Sequence, residues 1–120
     1  MTSIVRAFLL CEALAFGAAS LVHRGILVEG YRHRNAYVAE TVIAAVLLAG
    51  VLVSLVAPGR TRAAGLVAQG FALLGTAVGL LTIAIGIGPR TVPDVVYHVA
   101  IVAVLAWGLA VAVRSPHALS

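Results

Sequence analysis

Four apolar runs alternate along this chain with short polar breakers, and that pattern constrains the fold more than any other feature. A membrane-spanning helix needs about 20 largely apolar residues. Runs of about that length cover 3–28, 35–57, 61–86 and 93–113, leaving a short tail over 114–120. The breakers are a polar turn at 29–34 (EGYRHR), Pro58-Gly59-Arg60, and Gly86-Ile87-Gly88-Pro89. Pro93 falls in the first turn of the last run, where its missing N–H does no harm. Links this short make consecutive helices antiparallel neighbours. The expectation is an all-α, four-helix transmembrane bundle, up-down-up-down, in a single domain.

Composition agrees. Hydrophobic residues make up 62% of the chain and charged residues only 10%, whereas a soluble domain commonly carries about 25% charged residues. The lipid bilayer is therefore the first partner. The N-terminal run resembles a leader, but Glu12 would interrupt its apolar core and the run continues to Val28, so a spanning segment is expected instead. The eight basic residues are all arginines, placed singly or in pairs between apolar runs. They read as interface anchors, and nucleic acid is not an expected partner. Arg6, Arg60, Arg62 and Arg114 fall on one side, and Arg24, Arg32, Arg34 and Arg90 on the other. With the two sides equal, the positive-inside rule does not set the orientation. Termini inside is the preference, with dual topology as the alternative. Cys11, alone, has no internal disulfide partner and reads as a small buried hydrophobe. Gly75 and Gly79, four apart, suit close helix approach, either within the bundle or at a dimer seam. So small a bundle has little interior, and a homodimer or a larger membrane complex is expected.

Ionisable groups inside a span cost about 2.5–3.5 kcal/mol each on insertion scales, so they mark where function should be sought. They are Glu12, His23, Glu40 and His98, with Asp94 at the start of the last helix. Antiparallel packing puts His23, Glu40 and His98 at similar depth near one face of the membrane, with Tyr37 and Tyr97 in the same layer and Thr82 approaching it. Asp94 and His98 are four apart and share a helix face, so Asp94 is expected to orient the His98 imidazole, with Tyr97 and Tyr37 as supporting groups. Glu12 lies three turns from His23, roughly 16 Å along the axis, at the depth of Gln69 and Trp107. His33 and His117 read as solvated.

Two imidazoles and a carboxylate from three helices suit a metal ion such as zinc or iron, and two histidines on different helices suit axial ligation of a haem. A structural polar cluster is the alternative. No phosphate loop, nucleophile elbow or dinucleotide fingerprint is present, so an enzyme is not the expectation. Glu12 opens another class, a small proton-coupled transporter in which Glu12, near Gln69, or Glu40 titrates. A structural or accessory subunit of a membrane complex is a third.

Two resemblances follow from these residues. A lone carboxylate in the first of four helices resembles the layout of the small multidrug resistance transporters, which exchange protons for cationic drugs through such a glutamate; the likeness covers layout and Glu12 only. Gly88-Pro89-Arg90-Thr91, then Pro93-Asp94, then Tyr97-His98, together with His23 and Ala39-Glu40, resembles a group of small bacterial four-helix membrane proteins known only as uncharacterised. That resemblance implies the bacterial cytoplasmic membrane and transfers no activity.

Overall fold

The computed structural model describes residues 1–117; the last three residues of the expected tail lie outside it. Four α-helices follow one another: α1 Thr2–His23, α2 Arg34–Val56, α3 Thr61–Ala84 and α4 Val92–Arg114, with a single 3₁₀ turn, Pro58–Arg60, between α2 and α3. All four are long and apolar enough to cross a membrane. At 1.5 Å per residue each covers roughly 33 Å, enough for a hydrocarbon core about 30 Å thick.

Each helix packs on the next, and α1 closes the bundle against α4 while also touching α3 across the middle. α2 and α4 scarcely meet. The core is thin: Val5, Leu9, Ala13 and Phe16 from α1 meet Ile43 and Leu47 from α2, Ala68 and Ala72 from α3, and Ile101 and Leu105 from α4. The outer face is apolar too, with Leu14, Val67, Leu74 and Trp107 exposed. Lipid covers such a face as readily as protein does, so association rests on close packing and interhelical hydrogen bonds. Small residues supply the packing inside this chain. A Cβ at Gly75 would stand 2.9 Å from Ile43 Cδ1 of α2, and one at Gly79 would stand 3.1 Å from the His98 ring of α4.

The first and third helices end earlier than the apolar runs do, and both for one reason. Gly25 and Gly86 adopt positive φ, +80° and +87°. In each case the glycine N–H and the next N–H fold back onto carbonyls of the last turn: Gly25 to Val22 and Ile26 to Leu21, then Gly86 to Ile83 and Ile87 to Thr82. This is the paired closure that a left-handed residue permits. Hydropathy carries α1 on to Val28, but the backbone has already turned at Gly25.

Two local expectations are corrected. Cys11 is exposed on the outer face, not buried, because the inward side of that turn belongs to Glu12. His33 is not a solvated loop residue. Its Nδ1 accepts from Ala36 N–H at 3.2 Å and caps α2, while its Nε2 donates to the Ile87 carbonyl, also at 3.2 Å. It thus ties the α1–α2 loop to the α3–α4 loop.

Candidate functional site

Most of the titratable groups of the spans collect where those two loops meet. His23 is the last residue of α1 and is 3% exposed. Its Nδ1 lies 2.6 Å from Glu40 Oε1 on α2, and its Nε2 lies 2.8 Å from Asp94 Oδ1 on α4. One imidazole therefore bridges the two helices that scarcely touch each other. Glu40 and Asp94 are both buried.

Asp94 is held in place by the start of its own helix. Thr91 caps α4: its Oγ1 accepts from Asp94 N–H, and Asp94 Oδ2 accepts from Thr91 N–H at 3.2 Å, a reciprocal capping box. The Thr91 hydroxyl also donates to Asp94 Oδ2. One carboxylate oxygen is thus committed to the cap, and the other is aimed across the bundle at His23. The sequence pattern Thr91-Val92-Pro93-Asp94 carried the cap legibly, but it assigned the Asp94 carboxylate to the wrong histidine. His98 instead donates from Nδ1 to the Asp94 backbone carbonyl at 2.7 Å. A carbonyl only accepts, so in the neutral ring Nε2 is left as an acceptor.

Counting donors bounds the charge of the cluster. Each His23 nitrogen faces a carboxylate oxygen at hydrogen-bond distance, and two lone pairs cannot face each other at that range, so each gap holds a proton. Those two protons leave a net charge of −1, and a third, on the free Glu40 Oε2, leaves the cluster neutral. Among the described residues the only ion pairs are those of His23 with Glu40 and Asp94, so no arginine neutralises the remainder.

A cavity of about 230 Å³ opens beside Glu40, with Thr76, Thr82, Tyr97 and His98 in its wall. The wall is mostly apolar, with the Asn35 amide and a few acceptors set into it. Glu40 Oε2 and His98 Nε2 have no hydrogen-bond partner among the described residues. Thr76 and Thr82 spend their hydroxyl protons on the backbone carbonyls of Ala72 and Gly79, both at 2.7 Å. The Tyr97 hydroxyl is buried without a partner, its ring standing edge-on to Phe16 and to His98. A wider cleft of about 550 Å³, mostly apolar, reaches the other side of His23 and Asp94 between α1 and α4. Tyr37 stands apart. Arg24 lies over its ring, 4.4 Å from the centroid, and also donates to Thr41.

His23 and Glu40 are thus joined as their shared depth suggested, with Asp94 as the third member and His98 alongside. Both His23 nitrogens are engaged by carboxylates, so this arrangement offers no free ring nitrogen there for a metal ion or haem iron. Among the described residues no three His, Cys, Asp or Glu side chains are grouped in a way that could hold a metal ion. Glu12 and Gln69 form a separate layer. At the far end Arg6 donates to both the side chain and the carbonyl of Ser54, each at 2.7 Å, and Ser54 is bonded to Thr61 at 2.6 Å. Ser54 and Thr61 carry no signal in the sequence, since hydroxyls inside apolar runs are usually bonded within their own helix. Arg6 was legible as a membrane-end cation, but not as the group closing the last turn of α2.

No family model, curated protein or solved structure matches this chain.

Proposed function

We propose that this four-span membrane protein exchanges protons for a small organic cation bearing N–H donors, with the Glu40–His23–Asp94 cluster as the exchanging centre. The observation that carries this reading is the bridging of His23 between two buried carboxylates on different helices. Without a proton on Glu40 Oε2 the cluster is net negative in a region where charge is expensive, and intramembrane carboxylates and histidines of this kind mark ion pathways and proton relays. A cation entering the cavity beside Glu40 meets Oε2 of that carboxylate, His98 Nε2 and the threonine oxygens. It takes the place of a proton on Glu40 Oε2, so binding favours release of that proton. A donor-bearing cation satisfies these acceptors, while a cation without N–H groups leaves them unsatisfied. Metal or haem binding has less support, because it would first require His23 to give up one of its carboxylates.

The test is flux in proteoliposomes loaded with a pH-sensitive dye. Acetamidinium is the probe: it is small, rich in donors and remains charged at neutral pH. Added outside, it is expected to drive proton exit. Tetramethylammonium, which has no N–H, is expected to do so far less, and Glu40→Gln is expected to abolish the response. Proton movement indifferent to acetamidinium, or unchanged in Glu40→Gln, contradicts the reading.

A further inference from the structure

The second polar layer has the opposite problem to a salt bridge: it holds acceptors with no donor aimed at them. Glu12 and Gln69 are both 0% exposed. Gln69 Nε2 donates to the Gly65 carbonyl at 3.1 Å, which fixes the amide orientation and leaves Oε1 as an acceptor. Neither oxygen of Glu12 has a hydrogen-bond partner, and neither does Gln69 Oε1. The two side chains meet at Gly108 of α4. A Cβ there would overlap Gln69 Oε1 and would lie 2.9 Å from Glu12 Oε2. The glycine is the notch that lets both groups reach one point.

No fixed charge balances a carboxylate at this position. The nearest cation on the same helix, Arg6, is committed to Ser54. α3 presents the neutral Gln69 and α4 a glycine. The titratable groups of α2 and α4 within the membrane, Tyr37, Glu40, Asp94, Tyr97 and His98, lie toward the other end. An ionised, unpaired carboxylate facing an amide oxygen in an apolar interior would be strongly unfavourable. A proton resolves both defects at once, because a carboxylic acid O–H has an acceptor waiting in Gln69 Oε1.

We infer that Glu12, Gln69 and Gly108 form a second proton-binding site, in which the neutral carboxylic acid of Glu12 donates to Gln69 Oε1. The site is sealed. Phe16, Ile43, Ala72 and Ile101, all buried and apolar, belong to the core between it and the His23 cluster. It stands independently of cation exchange at Glu40, and failure of that exchange would leave it untouched.

Infrared spectroscopy of the full chain in lipid at neutral pH tests it. The wild type is expected to show the carbonyl stretch of a protonated carboxylic acid that responds slowly to transfer into D₂O. Glu12→Gln is expected to remove the band while keeping a donor toward Gln69. Gly108→Ala, which pushes the amide away, is expected to displace it. Should either variant fail to fold, ¹³C-glutamate labelling in a Glu40→Gln background assigns the band to a buried glutamate other than Glu40, and Gln69→Ala replaces Gly108→Ala as the displacing change. Carboxylate bands alone, or a slowly exchanging acid band that survives Glu12→Gln unchanged or ignores glutamate labelling, overturn the site. A band insensitive to both displacing changes overturns the pairing with Gln69.

Discussion

Removing the His23 imidazole would leave the buried Glu40 carboxylate without a partner and the Asp94 carboxylate with only its Thr91 cap. Breaking a buried ion pair in this way destabilises by about 3–5 kcal/mol, so His23→Ala is expected to lower the unfolding free energy in detergent by about that much. Glu40→Gln with Asp94→Asn in the same background should recover much of the loss, because no uncompensated charge then remains. The non-additivity of such a cycle is the signature of direct coupling; independent effects would contradict the geometry. The membership of this cluster was partly legible in the sequence. Run length and antiparallel order give depth, and depth brought His23 and Glu40 together. Rotation about each helix axis does not follow from depth. The i, i+4 relation between Asp94 and His98 was visible along one stretch of sequence, whereas the contact from Asp94 to His23 spans 71 positions and leaves no local mark. The same blindness to rotation put Cys11 inside the bundle.

At the level of the elements, the start of α4 matters most, since the Thr91 cap sets the aim of Asp94. Thr91→Ala removes the cap and is expected to cost about 1 kcal/mol in thermal or denaturant unfolding, with Thr91→Ser largely neutral. Because the Asp94 carboxylate loses its fixed direction, the alanine variant should also weaken cation-driven proton exchange while the serine variant retains it. Gly86→Ala asks an alanine to adopt a left-handed conformation and is expected to cost about 1–2 kcal/mol. A variant as stable as wild type would argue against the turn described for the end of α3. The helices themselves were readable from apolar length, and nearly all their ends from the breakers, but not the end of α1, because hydropathy reports partition into lipid and says nothing of φ. Val28 continues the apolar pattern after the backbone has left the helix, and only Gly25 marks the true stop.

Across the whole molecule, four spans form a closed bundle in which α2 and α4 are linked at one end chiefly through a side chain of α1. The hydrogen bonds of His23 to Glu40 and Asp94 are therefore the link between those helices at that end. The apolar exterior is complete enough to serve as the lipid face, and its chemistry accounts for the composition that made the architecture legible from the start. The function was far less legible: the residues that matter are few, are scattered over three helices and follow no contiguous spacing. The central claim is that cation and proton compete for the Glu40–His23–Asp94 cluster. It is tested most directly by adding acetamidinium to the purified protein in weakly buffered mild detergent, with binding followed by calorimetry and proton release followed by a pH dye. The wild type is expected to release a proton for each cation bound, and Glu40→Gln to lose both signals. Binding without proton release, or no binding at all by the wild type, would contradict the account.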